Sequence, residues 1–387
     1  MTELGVAIVA DDLTGAMDAA APFARRGMRT SVVIALEHLA DVIAQGHLPE
    51  VLAINTESRH LPADQAAKRV AEACERLLTF APRLLFKKVD STLRGNVVAE
   101  CLAARRSSGR GLLVCPAVPA QGRTLRGGRV YVHDEPLSAS DYGQDARSVP
   151  PVEPLPILFE RQGLAISSLP ADSVSDEADA IVDAVSEADL QLLARRLLEY
   201  PRRWLAVGAA GLAEAVAGNL CPAHGGSVPL SPPTDSLLIA VGSRCERARR
   251  QVACLGEAAP GLPVIHAMDD EGARSGPAQR WLIVPERQPS ARFTAERVAQ
   301  GMARCVVSLL DSRAGQAPLL FLTDGDTAMA VMERLGARQV ELAGEWAPGV
   351  AWGWLDGDRQ RPVMTKAGGF GDDSLLVHLI EASTTRG

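Results

Sequence analysis

The sequence predicts an α/β protein of two domains, the first on a Rossmann-like parallel sheet and the second on a partly mixed sheet. Three observations support this. Short β-rich runs alternate with longer amphipathic stretches from residue 5 to about 115, and the alternation restarts at Leu237. Strands and helices at that spacing read as βαβ units. Between the two blocks, residues 222–235 have the proline and glycine density of an interdomain linker. With 387 residues, the chain is longer than one ordinary core accommodates.

In the first block, strands are expected at Val6–Ala10, Thr30–Ala35, Val51–Asn55, Leu84–Lys88 and Leu112–Cys115. Helices are expected near Gly15–Arg26, Ala63–Leu78 and Gly95–Arg106, with Pro62 suited to a first helical turn. Residues 116–170 are rich in Gly, Pro, Ser and Asp with weak periodicity, and read as long connections over the sheet's binding edge. Periodicity returns at Ala178–Val185, the helix Glu187–Leu198, the strand Trp204–Val207 and the helix Gly211–Leu220. The first domain is therefore expected over 1–221, the linker over 222–235 and the second domain over 236–387. The second block opens with a strand at Leu237–Val241 and a helix at Arg244–Leu255. Strands follow at Val264–His266, Trp281–Val284, Leu319–Leu322, Gln339–Leu342, Val350–Leu355 and Val363–Thr365, before a closing helix near Asp373–Ser383.

Composition narrows the chemistry. A formal net charge of −7 gives no basic field for nucleic acid, so any anionic ligand must be held by local cations. No apolar run approaches the ~18 residues of a membrane span, and residues 1–5 carry no basic leader. Seven scattered cysteines without a Cys-x-x-Cys pair suit reduced thiols, and dispersed histidines argue against a zinc site. A cytoplasmic protein with neither nucleic-acid nor membrane partners is expected.

The chemistry-bearing residues sit where predicted strands stop. Asp11-Asp12-Leu13-Thr14-Gly15 follows Val6–Ala10, and Lys87 through Asn96 follows Leu84–Phe86. Ends of parallel strands line the ligand crevice of an open sheet. Asp11 and Asp12 can bind a hydroxyl there, or Asp12 can simply cap the following helix. Lys88, Asp90, Ser91, Thr92 and Arg94 mix cations with hydroxyls, as a small polyhydroxylated anion requires. Arg59, after Val51–Asn55, adds another cation or is an exposed loop residue.

In the second block, Ser243 lies in a candidate phosphate turn. The run Asp324-Gly325-Asp326-Thr327 repeats that arrangement with acids, which tolerate phosphate through a cation such as Mg²⁺, or else Asp324 or Asp326 simply caps the following helix. Lys366 precedes Gly368, Gly369 and Gly371, whose amides can wrap an anion, with the lysine adding charge. No Walker A loop or Gly-x-Gly-x-x-Gly fingerprint occurs, which weakens a dehydrogenase reading. Trp352 and Trp354 alternate on one strand and suit core packing better than an adenine.

Together, the segments at Ala10–Ala16, Lys87–Asn96, Pro116–Arg123 and Lys366–Gly371 resemble those of the four-carbon acid sugar kinase family, over nearly the whole chain. Its members phosphorylate threonate, erythronate and 3-oxo-tetronate. The resemblance implies an N-terminal sugar-acid-binding domain and a C-terminal nucleotide-binding domain using ATP and Mg²⁺. Asp12, Arg59, Lys88, Asp90, Ser91, Thr92 and Arg94 would bind substrate, with Asp12 and Asp11 in the catalytic role and Asp372 as a rival base. Ser243, Gly325, Thr327, Gly344, Glu345, Gly349, Lys366, Gly368 and Gly369 would serve the nucleotide. The family usually carries two glycines where this chain has Asp324-Gly325. That departure motivates a second reading, a non-catalytic sugar-acid sensor. The partners implied are a small sugar acid and ATP, and assembly as a homo-oligomer stays open.

Overall fold

The computed structural model describes residues 4–44, 48–140, 142, 150–174, 178–221, 236–269, 278–287, 292–312 and 318–383. They fall into two compact units, divided within 222–235. The linker expected there lies outside the described residues.

In the first unit the strands are β1 (Val6–Ala10), β2 (Thr30–Val33), β3 (Val51–Asn55), β4 (Leu84–Lys88), β5 (Gly111–Cys115), β6 (Arg123–Arg126), β7 (Arg129–Val132), β8 (Glu135–Pro136), β9 (Ser167–Pro170), β10 (Ala180–Asp183) and β11 (Trp204–Gly208). Its helices are α1 (Leu13–Arg25), α2 (Leu39–Ala44), α3 (Ala63–Leu78), α4 (Val97–Ser108), α5 (Leu155–Glu160), α6 (Glu187–Glu199) and α7 (Ala210–Leu220). Eight strands pair in parallel in the order β2-β3-β1-β4-β11-β5-β10-β9. Strands β1, β3, β4 and β11 are buried at every position, because helices covering both faces demand continuous apolar runs. From β1 the chain builds β2 and β3 on one side, then crosses to β4 on the other. That reversal is the topological switch point, where ligands bind in such sheets. Register sets Ala10 beside Asn55 and Lys88, so the loops after β1, β3 and β4 leave from one line.

Residues 116–170 are more structured than expected. They hold a three-stranded antiparallel sheet, β6-β7-β8, the helix α5 and β9, which pairs with β10 at the sheet edge. Strands of four residues or fewer are too short to show a period. The available signal was Gly127-Gly128, whose positive φ values (56° and 68°) make the two-residue hairpin between paired Arg126 and Arg129.

In the second unit the strands are β12 (Leu237–Val241), β13 (Val264–His266), β14 (Arg280–Val284), β15 (Leu319–Thr323), β16 (Gln339–Ala347), β17 (Val350–Leu355) and β18 (Pro362–Lys366). The helices are α8 (Glu246–Ala258), α9 (Ala295–Asp311), α10 (Gly325–Arg334) and α11 (Leu375–Ala382). The order is β13-β14-β12-β15-β18-β17-β16, parallel up to β18 and antiparallel at β17, which makes the sheet mixed as expected. Trp352 is fully buried in this core and meets Trp354 edge-on at 5.0 Å. Helix α9 was not anticipated. It has clear signals nonetheless: Thr294 caps it by accepting from the Arg297 amide at 3.2 Å, and Val298, Met302, Val306 and Leu309 form its buried stripe.

Asp324, at the start of α10, has φ +90°, a backbone region that suits glycine and strains any residue with a Cβ. Asp324→Gly is expected to stabilise the protein by about 1 kcal/mol. A urea midpoint that falls instead of rising would contradict this.

Candidate functional site

At the switch point, the backbone delivers the side chains before any ligand is needed. Pairing between the first and third strands continues past their ends: Thr56 N donates to Ala10 O (2.9 Å), and Ser58 N and Arg59 N both donate to Asp11 O (3.0 and 3.3 Å). Arg59 is thereby brought back over the aspartates. Its Nε and Nη2 donate to Asp11 Oδ2 and Oδ1 (2.8 and 2.9 Å), and its Nη1 and Nη2 to Asp12 Oδ2 and Oδ1 (2.7 and 2.8 Å). Asp90 Oδ2 lies 3.9 Å from the same guanidinium. Asp12 also caps α1, accepting from Gly15 N (2.9 Å) and Thr14 Oγ1 (2.8 Å). The cap and the crevice are thus two functions of one side chain.

The loop after β4 is folded around Asp90. Its Oδ1 accepts from Thr92 N (2.8 Å) and Thr92 Oγ1, and its Oδ2 from Arg94 Nη2 (2.5 Å) and Nε (3.1 Å). Gly95 (φ +86°) suits glycine, since a side chain is strained at that φ and a Cβ there would lie 3.1 Å from Asp11 Oδ2. Asn96 donates to Leu61 O at 2.8 Å and ties this loop to the one after β3. Burial by itself would raise the Asp11 and Asp90 carboxyls. Arg59 together with Lys87 and Lys88 outweighs it at Asp11, and Arg94 with Arg59 outweighs it at Asp90, which is held well below the ordinary carboxylate range.

The two lysines ending β4 point to opposite faces. Lys88 Nζ donates to Val89 O (3.1 Å) and would lie 3.4 Å from a Cβ on Gly15, so it belongs to the crevice. Lys87 turns the other way and forms a buried ion pair with Glu100 Oε2 at 2.8 Å. Glu100 Oε1 accepts from Ser58 Oγ (2.7 Å), and Ser58 in turn meets Thr56 Oγ1 at 2.8 Å. A buried polar network therefore underlies the loops of the crevice.

The expected substrate residues Asp11, Asp12, Arg59, Lys88, Asp90, Ser91, Thr92 and Arg94 all lie at this sheet edge. Two neighbours were not anticipated. Arg123 donates to Ser91 Oγ and Gln121 Oε1 (both 2.9 Å) and to Tyr142 OH (3.0 Å). It closes the Pro116–Arg123 segment, which is the signal that was available. The other is Asp18 on α1, whose helical spacing from Gly15 was its only signal.

In the second unit, adjacent strand ends again collect the expected residues. A Cβ on Gly242 would overlap Thr327 Oγ1, and a Cβ on Gly368 would overlap Ser243 Oγ. The turns after β12, β15 and β18 therefore touch through side chains that only glycine admits. Gly349, in the β16–β17 hairpin with Gly344, gives its amide to Glu345 Oε1 (2.6 Å) and packs on Phe370. Lys366 does not supplement the glycine turn as a free charge. Its buried Nζ donates to the carbonyls of Ala367, Gly368 and Phe370 (3.0, 3.1 and 3.0 Å), and burial lowers its pKa to about 8. Every peptide bond here is trans, so turning those carbonyls inward turns the amides of Gly368, Gly369 and Gly371 the opposite way. Such an arrangement of amides suits an anion. Asp372 is exposed and its Oδ1 accepts from Ser374 N (3.0 Å) and Oγ (2.8 Å), a side-chain turn that leads into the closing helix.

No helix among the described residues is long and apolar enough to cross a membrane. Residues 6–216 match the family model described as a sugar-binding N-terminal domain, and residues 263–376 the one described as a nucleotide-binding C-terminal domain. The chain is 36% identical to a D-threonate kinase of Bordetella bronchiseptica, over 98% of each chain. It is 27% identical to a D-erythronate kinase of Heliobacterium modesticaldum, over 98% of this chain and 97% of the relative. A crystal structure of a Bordetella bronchiseptica protein, described as a domain-swapped dimer with bound citrate, matches with 31% identity over 98% of each chain and a TM-score of 0.51.

Proposed function

Because the chain belongs to the four-carbon acid sugar kinase family, we propose that it transfers a phosphoryl group from ATP to a hydroxyl of a four-carbon sugar acid such as threonate, erythronate or 3-oxo-tetronate. The observation that supports this best is the gathering of Arg59, Lys88 and Arg94 with Asp11, Asp12 and Asp90 at the switch point of the first sheet. Those groups match a molecule that is both hydroxylated and carboxylated. The citrate held by the Bordetella protein is a hydroxy acid of related chemistry.

In this reading the substrate carboxylate is drawn to the same guanidinium and ammonium groups, which the protein carboxylates continue to hold in place. Asp12 and Asp11 orient the accepting hydroxyl, while Ser91, Thr92 and Asp90 shape the rest of the sugar acid's surroundings. Ser243, Gly325, Thr327, Gly344, Glu345, Gly349, Gly368 and Gly369 bind the nucleotide, with the glycine amides facing phosphate oxygens, while Lys366 holds that turn in shape through its carbonyls. Among the described residues no group of three or more His, Cys, Asp or Glu could hold a metal. A Mg²⁺ that arrives on ATP needs only one or two carboxylates, and Asp324 and Asp326 fit that role. Bound there, it would neutralise charge on the transferred group. The domain-swapped Bordetella dimer supports a homo-oligomer.

The test is ADP release across threonate, erythronate and 3-oxo-tetronate, with Asp12→Asn as the control. Asparagine keeps the helix cap but loses the charge that holds Arg59. Turnover is expected to fall by about 10²-fold, the usual consequence of a misplaced reacting group. Binding of a sugar acid without ADP release from any of the three would overturn the kinase reading in favour of a sensor.

A further inference from the structure

Helix α1 is buried at every one of its thirteen positions except Asp18 and Arg25. Arg25, at the end, pairs with Glu214 at 2.8 Å on the outer surface. Asp18 is different: a half-buried carboxylate in the middle of an alanine-rich helix, between fully covered turns. Such a position is costly for an acid unless it has a use. It lies one helical turn beyond Gly15, on the face that meets Asp12 and Lys88. Four charged groups act on it: Lys88 from β4, Asp12 from the β1–α1 junction, Arg123 from β6 and Asp90 from the loop after β4. All four belong to the crevice. Among the described residues Asp18 has neither a hydrogen bond nor an ion pair.

The contrast with the neighbouring acids decides its role. Asp12 accepts from Gly15 N, Thr14 Oγ1 and Arg59 twice, and both oxygens of Asp11 are held by Arg59. A carboxylate whose lone pairs are already donated to is a poor proton acceptor, whereas Asp18 has its lone pairs free for a substrate hydroxyl. We infer that Asp18 is the general base of the phosphoryl transfer, a role that rests on the kinase reading above. As the hydroxyl oxygen bonds to the γ-phosphorus of ATP, its proton passes to Asp18 Oδ. The bond from phosphorus to the β,γ-bridging oxygen breaks, and its electron pair leaves with ADP. Arg59, with Asp11 and Asp12, holds the acid in place for that step. Burial, the largest influence on Asp18, raises its pKa over the opposing pull of Lys88. The shift brings the group closer to a working pH, as suits a base.

The experiment compares wild-type protein and Asp18→Asn, with D-threonate and ATP-Mg²⁺ as probes, by steady-state ADP release and by calorimetry of D-threonate binding. Asparagine is isosteric, and retained binding shows that the variant is folded. The expected result is a kcat lower by about 10²-fold or more, with D-threonate binding within a few-fold of wild type. The acid limb of the wild-type kcat profile, set above the ordinary aspartate range, should be missing from the residual rate. A kcat within threefold of wild type would overturn the assignment. So would a variant that loses D-threonate binding, or one that keeps the same acid limb. If wild-type protein releases no ADP with any of the three sugar acids, the kinase reading itself fails, which is a different outcome from an active wild type with an equally active Asp18→Asn.

Discussion

Arg59→Met is expected to remove about 3–5 kcal/mol of stability at neutral pH. The guanidinium joins two carboxylates directly and approaches a third, and its side chain is only 12% exposed. Methionine fills much of the volume but leaves Asp11 and Asp12 facing each other without that cation. The pH dependence gives the cause away. In the wild type Asp11 is held below its ordinary value, so its contribution is present above the carboxylate range and is lost as pH falls through it. In the variant the carboxyls are relieved by protonation instead. The stability difference between the two proteins should therefore be largest at neutral pH and shrink as the solution is acidified through the carboxylate range. Urea denaturation at several pH values checks this, and a pH-independent difference would point to lost packing instead. Sugar-acid binding should also weaken by roughly 10- to 100-fold, the value of a charged hydrogen-bond partner. Titration of D-threonate into a folded preparation reads that effect separately.

Lys87→Met is expected to be comparably damaging, by about 3–5 kcal/mol, although Lys87 faces away from the crevice. Its ammonium and the Glu100 carboxylate are both about 1% exposed and lie 2.8 Å apart, so removing one leaves the other charged and buried. The companion variant, Lys87→Met with Glu100→Gln, should recover at least half of the loss. Glutamine carries no charge and can still accept from Ser58 Oγ. If the double variant is no more stable than the single one, the damage comes from packing, and the ion pair is not its source.

The contrast between Lys87 and Lys88 also marks how far the sequence could be read. Both follow Leu84–Phe86 and both looked like members of a cationic loop. Neighbours on a strand must point to opposite faces, but β4 is covered on both sides, so no alternation of apolar and polar residues says which lysine meets which face. Pairing with β1 and β11 settles it. Asp12 poses the same difficulty at shorter range: its spacing to Gly15 signals a helix cap, and its second partner, Arg59, is 47 residues away. Helix α9 and the Gly127-Gly128 hairpin do carry local signals, a capping threonine with an apolar stripe and a glycine pair. Lys366 was legible as a cation beside a glycine turn, and only the folded turn reveals that its carbonyls face the ammonium while its amides face out.

The amino-acid sequence by itself determined the α/β alternation, the two-block organisation, and the strand ends where polar residues collect. Those depend on local periods and on residues a few positions apart. The tertiary structure alone decided that Arg59 is shared by Asp11 and Asp12, that Lys87 goes to the core, and that Arg123 reaches Ser91. Each of those depends on sheet register and loop packing, which join residues distant in the chain and leave no periodic trace within it.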